Sequence, residues 1–218
     1  MRTLILANGT PPSRALAQKL AASHELLIAT DGAAHQAAAL GIAPDIICGD
    51  FDSVEMEQAK RALPDAEWIP TPDQDKTDLE KAILLALSKG ATEINILGAN
   101  GGRIDHTLAN FALLLRYHQE VFLRIVEDGA EAWAVSGAQS VPGVSIFAPR
   151  PGDTVSLISL DGAARVGVSG VRWPLTNFPL PIGSLGVSNE ATGEQATVTA
   201  SGGAILVCHL YPALAANL

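Results

Sequence analysis

Positive charge is scarce in this sequence. Its 218 residues carry 14 Lys and Arg against 23 Asp and Glu, a formal net charge of −9. Nonspecific binding to nucleic acid or to an anionic membrane needs clustered Lys and Arg, so neither is expected. Long apolar runs are missing as well. No stretch approaches the ~20 residues of a membrane-spanning helix, and the apolar part of the opening "MRTLILANGT" is too short for a secretory signal. A soluble, cytoplasmic protein is the expectation. Cysteine is nearly absent: Cys48 and Cys208 each sit in an apolar run, "DIICGD" and "AILVCHL". That predicts two buried thiols in a reducing compartment rather than a disulfide. Repeats and low-complexity segments are also lacking. What the chain has in quantity is apolar matter, 48% of residues against 17% charged, enough to build a core and to exclude disorder.

The first 128 residues alternate. "TLILA", "ELLIATD", "PDIICGD", "ATEINILG" and "VFLRIVE" read as strands. Between them, "PPSRALAQKLAA" predicts a helix with proline in its first turn, "GAAHQAAALG" a helix closed by Gly41, and "DLEKAILLALSKG" and "RIDHTLANFALLLRYH" two more. Apolar strands alternating with helices predict βαβ units and a largely parallel sheet. From 129 to 218 helical periodicity disappears, and short β-rich pieces are separated by Gly and Pro. The fold expected is therefore an α/β N-terminal domain with a largely parallel sheet over 1–128, followed by an all-β sandwich or roll as C-terminal domain over 129–218, with the boundary in "EDGAEAW".

Several strands of the first half end in polar residues or glycine: Asn8-Gly9, Asp31-Gly32, Gly49-Asp50, Gly98. Such residues start turns for their own reasons. Gathered at the carboxyl ends of a parallel sheet, they also make a composite ligand site. In "GDFDS" an extended backbone would put Asp50 and Asp52 on one face and Phe51 on the other, two carboxylates suited to a hard cation such as Mg²⁺. The alternative is a turn that caps the next helix, for which Ser53 is the better cap. In "TPDQDKTDLEKA", Thr77 and Glu80 form a capping box and Asp78 suits the first helical turn. Asp73 and Asp75 precede the cap and have no such structural reason. Lys76 among them either contacts a phosphate or is a surface counter-charge.

The segment "GANGGRIDHTLAN" puts glycines after a strand, then Arg103, Asp105 and His106 at a helix start, with Asn110 further along. Glycines allow close approach of a ligand, the helix start offers N–H groups to an anion, and Arg103 supplies a planar donor for phosphate. Neither the Walker pattern nor the dinucleotide fingerprint is present. In the second half, "GVRWPLTNFPLPIGSLGVSNE" reads as a long, proline-punctuated loop. Its Trp173 is either core or a stacking platform for a flat cationic ring. Trp68 and Trp133 lie in apolar, strand-like contexts that assign them to the core.

Six segments, taken in order, resemble the thiamine pyrophosphokinase family: "DGAA" at 31–34, "PDIICGDFDS" at 44–53, "DQDKTDLEKA" at 73–82, "GGRIDHTLAN" at 101–110, "GVRWPL" at 170–175 and "SNE" at 188–190. They span most of the chain. The resemblance implies Mg²⁺-dependent transfer of a pyrophosphoryl group from ATP to the hydroxyl of thiamine, giving thiamine diphosphate and AMP. It implies a homodimer with sites between subunits. By the same resemblance Asp50, Asp73 and Asp75 hold the metal, and Asp50, Asp52, Asp75 and Asp78 form the catalytic acids. Asp31, Lys76, Arg103 and Asp105 serve the nucleotide and its phosphates, while Trp173, Ser188 and Asn189 line the thiamine pocket. Two other readings are a phosphatase using the "DFD" aspartates and a binding module without turnover.

Overall fold

Arg2–Leu6 (β1) presents Thr3, Leu4, Ile5 and Leu6 with no exposed surface, as a strand covered on both faces must. The computed structural model describes residues 1–51 and 56–212. The hydroxyl of Ser13 accepts the Leu16 N–H at 3.2 Å and starts α1 (Arg14–Ala21). The two prolines therefore precede the cap instead of occupying the first turn, because Ser13 supplies the acceptor that fixes the helix start. The chain continues through β2 (Leu26–Thr30), a 3-10 turn at Asp31–Ala33, and α2 (Ala34–Leu40), closed by Gly41 in the left-handed region at φ 71°. Next come β3 (Ile46–Gly49), α3 (Met56–Ala62), β4 (Glu67–Pro70), α4 (Asp78–Ser88), β5 (Glu93–Leu97), α5 (Ile104–Tyr117) and β6 (Phe122–Glu127). Strand β4 carries Trp68, which is half-buried against Phe51 at a ring separation of 5.6 Å. Because β4 is the outer strand beside β3, Trp68 borders the core instead of filling it.

The chain divides into two units, the first taking Met1–Leu113 with Gln119–Asp128, the second Leu114–His118 and the residues from Gly129 onward. In the first unit the strands run β6-β5-β1-β2-β3-β4, every neighbouring pair parallel. Strand β1 lies between β2, the next strand in sequence, and β5, which follows three helices later. The winding direction reverses there, and the carboxyl ends of β1 and β5 flank the crevice where open α/β sheets bind ligands.

The second unit contains β7 (Ala130–Gly137), β8 (Gly143–Phe147), β9 (Thr154–Ser159), β10 (Arg165–Ser169), β11 (Leu175–Pro179), β12 (Asn189–Glu190), β13 (Ala196–Ser201) and β14 (Gly203–Leu210). They form two antiparallel layers, β12-β9-β14-β7 and β11-β10-β13-β8. Trp133, Leu157 and Val207 from one layer share an apolar core with Val166 and Val198 from the other, which makes the unit a sandwich. The expected long loop after Gly170 is interrupted by β11. Its proline is tolerated because β11 is an edge strand, where a missing N–H breaks no ladder. Cys48 is buried as expected, whereas Cys208 on β14 is half-buried; both are free thiols. No helix among the described residues is long and apolar enough to cross a membrane.

Inside the sandwich, His209 is 6% exposed and bridges two carboxylates, Glu131 at 3.1 Å and Asp153 at 2.9 Å. Burial by itself lowers an imidazole's pKa, but the hydrogen bonds to Glu131 and Asp153 outweigh it and raise His209 above its usual 6.5. A group with a raised folded pKa adds stability that is fully present below its unfolded pKa and is lost as pH rises through the folded one. Melting temperature is therefore expected to fall as pH is taken upward from about 6.5. The fall should be steeper in the wild type than in His209→Gln, and thermal melts of both across that interval check it.

Candidate active site

A cavity of about 350 Å³ opens at the carboxyl ends of β1, β2 and β5. Its wall is built from Asn8 and Gly9 after β1, Thr30 at the end of β2, Gly98 and Ala99 after β5, Thr77 and Asp78 at the start of α4, Arg103 just before α5, and His106 and Asn110 on α5. This is the crevice where the sheet's winding reverses. Two helix starts lie on its wall, those of α4 and α5, the kind of position where backbone N–H groups meet anions; at α5 the Asp105 carboxylate takes this place with the His106 N–H. The α4 start is fixed as the sequence predicts: Thr77 caps the helix, its Oγ1 accepting the Glu80 N–H at 3.3 Å.

The glycines of this wall work differently from the sequence expectation. A Cβ on Gly9 would lie 2.2 Å from the Asn100 carbonyl oxygen, one on Gly98 2.5 Å from that of Ala7, and one on Gly101 1.8 Å from Thr10 Oγ1. These glycines let the loops after β1 and β5 mesh with each other. At Gly102, with φ 72°, a Cβ would meet nothing within 4 Å, so its missing side chain leaves free space.

Acidic residues collect beside the cavity. Asp31 is 1% exposed, and its two oxygens accept the Gly32 N–H at 2.6 Å and the Phe51 N–H at 2.8 Å. Its carboxyl is raised above the usual range, first by burial and further by the negative charges of Asp78 and Asp50, while the backbone bonds pull the other way. The Cys48 thiol at the end of β3 is pushed up to about 12, by burial first and then by Asp78 and Asp31. Asp31, Asp50 and Asp78 thus share one electrostatic neighbourhood although they come from three separate loops. Lys81, 6% exposed, enters it through an ion pair with Asp78 at 3.1 Å.

Phe51 has φ 64°, so the backbone after Gly49 is a left-handed turn rather than the extended run expected there. The Asp31 bond and the packing on Trp68 hold it. The alternation argument for Asp50 and Asp52 lapses accordingly; Asp52 and Ser53 lie outside the described residues. In the loop before α4, Asp73 pairs with Lys76 at 2.6 Å and accepts the Asp75 N–H at 2.9 Å. The Lys76 bond holds the Asp73 carboxyl below its usual range, and Lys76 is raised in return. Arg103 and Asp105 grip each other at 2.5 and 3.1 Å on the open surface, which brings Asp105 down to about 2. Among the described residues, no three His, Cys, Asp or Glu side chains stand close enough together to hold a metal ion unaided.

A second pocket, of about 370 Å³, lies within the sandwich unit, lined by Val155, Leu157, Val168, Leu175, Leu185 and Val187 with Trp173, Ser188 and Asn189. Trp173 is 56% exposed, which removes it from the core. Asn189 spends both ends of its amide on the Trp173 backbone, Oδ1 accepting the N–H at 3.1 Å and Nδ2 donating to the carbonyl at 2.7 Å. The Arg172 guanidinium stands 5.0 Å from the Trp173 ring and pairs with Glu190 at 3.4 Å. Ser188 is left-handed at φ 64°, its N–H donating to Ser156 Oγ at 3.0 Å. Sequence reasoning gave no role to Thr30, Lys81, Asn110 or Arg172. Lys81 had a signal in its three-residue spacing from Asp78, and Asn110 and Arg172 stood inside the segments 101–110 and 170–175 without being singled out.

The description "Thiamin pyrophosphokinase, catalytic domain" matches residues 17–126, and "Thiamin pyrophosphokinase, vitamin B1 binding domain" matches residues 145–205. Thiamin pyrophosphokinase 1 of Caenorhabditis elegans is 28% identical over 176 residues, covering 77% of this chain and 70% of its own length. Thiamine pyrophosphokinase of Bacillus subtilis (strain 168) is 27% identical over 198 residues, 84% of this chain and 86% of its own. The crystal structure of thiamine pyrophosphokinase from Bacillus subtilis shares the fold, with a TM-score of 0.83 at 24% identity over 97% of this chain and 100% of that one. The catalytic-domain match by itself takes in half of the sequence, and the chain belongs to the thiamin pyrophosphokinase family as an enzyme of the thiamine diphosphokinase type.

Proposed function

We propose that the enzyme transfers a pyrophosphoryl group from ATP to the hydroxyl of thiamine, releasing AMP and thiamine diphosphate. The observation that carries this reading is the cavity at the reversal of the sheet, which has Arg103 and two helix starts on its wall and a neighbourhood of aspartates at its side. Phosphoryl-type transfer asks of a protein chiefly positioning and charge stabilisation. In this reading residues 1–128 bind ATP. Arg103 leaves Asp105 for the phosphates, and the N–H groups at the starts of α4 and α5 face the same charge.

The donor set suits Mg²⁺. Asp31, Asp50 and Asp78 leave more negative charge at the ends of β2 and β3 than Lys81 offsets, and all their donors are hard oxygens. That no three of the described acids form a complete cage agrees with an ion that shares its coordination between carboxylates, water and substrate phosphates. Asp50, with Asp75 and Asp73 from the loop before α4, would hold it, Asp73 giving up Lys76 to the phosphates. When bound, the ion supplies neutralisation of phosphate charge. Asp31 holds the loop that carries Asp50 in place, and Asp75 and Asp78 join Asp50 as proposed catalytic acids. Asp52 completes the proposed catalytic acids.

Residues 129–218 would bind thiamine, its cationic ring against Trp173 and its apolar parts among Leu157, Val168 and Leu185. Asn189 and Ser188 shape this pocket through the backbone. The same reading makes the enzyme a cytoplasmic homodimer with sites between subunits. Ile104 and Leu108, exposed one turn apart on α5, are apolar surface that an assembly would cover. Chromatography of an early time course tests the reaction. AMP is expected to rise in step with thiamine diphosphate. ADP rising with thiamine monophosphate would overturn pyrophosphoryl transfer.

A further inference from the structure

Two buried polar atoms on the wall of the first cavity have no hydrogen-bond partner, Thr30 Oγ1 and Asn110 Oδ1. Thr30 is 2% exposed and Asn110 7%. Chemistry fixes the Asn110 amide: its other end lies 2.7 Å from the Ala99 carbonyl, and only the NH₂ end can face a carbonyl. Oδ1 is thereby held as a pure acceptor, shielded from solvent on a residue that lines the cavity. An unpartnered buried acceptor is costly, and the cost is relieved when a ligand brings a donor.

Position along α5 narrows the donor. Arg103 precedes the helix, and Asn110 lies two turns in. At 1.5 Å per residue the seven positions between them amount to about 10 Å. A nucleotide whose phosphates meet Arg103 and the start of α5 would reach Asn110 with the far edge of its base. The sugar hydroxyls lie closer to the phosphate end. Resting on the reading that the cavity holds ATP, we infer that Asn110 recognises the base: its Oδ1 accepts a hydrogen bond from the exocyclic amine of an amino-purine. The pocket then favours adenine over purines that carry nothing, or a carbonyl, at that position. The Ala99 carbonyl is the positioning group that orients the amide.

Comparison of donors isolates this contact. ATP is set against purine riboside triphosphate, which lacks only the 6-amino group, and against 2′-deoxy-ATP and 3′-deoxy-ATP. With the wild-type enzyme, loss of the amine is expected to lower kcat/KM for the nucleotide about tenfold, the effect of one net hydrogen bond. In Asn110→Ala the ratio between ATP and purine riboside triphosphate is expected to fall to about one. Because the ratio is internal to each protein, a general loss of activity from loosening the Ala99 loop does not disturb it. Equal use of both nucleotides by the wild type overturns the inference. So does a tenfold loss confined to a deoxy analogue, which would make the donor a sugar hydroxyl, or an unchanged ratio in Asn110→Ala. If Asn110→Ala does not fold, the wild-type series decides alone. Should no triphosphate support thiamine diphosphate formation, the ATP reading itself falls and takes the base contact with it, a result plainly different from activity without discrimination.

Discussion

Asp50→Asn is expected to lower turnover about a hundredfold or more, the scale of one lost electrostatic contact in a transition state, while the melting temperature stays the same or rises slightly. The two halves of this result have one cause. Asp50 follows β3 and its charge raises the carboxyl of Asp31, so the fold holds it against repulsion. Removing the charge eases Asp31, whose bond to the Phe51 N–H keeps the local turn. On the proposed reading Asp50 is a metal ligand, and the repulsion it exerts on Asp31 is what gathering acids around a cation entails. Turnover assays and thermal melts on one preparation check both halves. Full activity in limiting Mg²⁺ would take Asp50 out of the site.

Asp78→Asn should behave in the opposite way, losing stability and activity together. Lys81 is buried and has Asp78 as its ion-pair partner, with side-chain exposures of 5% and 40%. Removing the carboxylate takes away the buried ammonium's direct ion-pair partner, which for a fully buried pair costs several kcal/mol. Because Asp78 is partly in water, about 2 kcal/mol is the expected loss. The double variant Asp78→Asn/Lys81→Met removes both charges and keeps the volume, so urea unfolding should return close to the wild type. Turnover should stay low. Recovery of turnover along with stability would mean that Asp78 acts only as the partner of Lys81, and its place among the catalytic acids would be lost.

Five of the six parallel strands were legible because each is an apolar run bounded by turn residues, whereas the short edge strand β4, "EWIP", is not such a run and was not read; α4 was legible because Thr77 and Glu80 carry its start in four residues of sequence. Local signals failed where distant ones decide. Nothing in "GDFDS" announces a left-handed Phe51, since the bond that holds it comes from Asp31 on another loop. β11 was hidden by Pro179 and the prolines that flank it, and is made by pairing with β10. At the site, the family resemblance grouped Asp73 with Asp75 and Asp50, whereas the field acting on Asp31 comes from Asp78 and Asp50. Trp173, Ser188 and Asn189 were recognisable from family motifs, and they do line one pocket. That Asn189 grips the Trp173 backbone is a matter of geometry that no motif expresses.

The central place of β1 has a consequence for how the chain is made. Its pairing with β2 is complete once Thr30 has been synthesised, but its other edge pairs with Arg2↔Glu93 through Leu6↔Leu97. At a synthesis rate of ~5–20 residues per second, β1 waits roughly 3–13 s beside the ribosome with one row of backbone groups unmatched. Leu4, Ile5 and Leu6 are fully buried in the finished protein and belong to that waiting edge. An unpaired apolar strand is a template for pairing with another nascent chain. Slowing elongation between Ser88 and Leu97 would lengthen the interval, so codon choice in that stretch should affect the yield of folded enzyme more than the same change placed after Glu127.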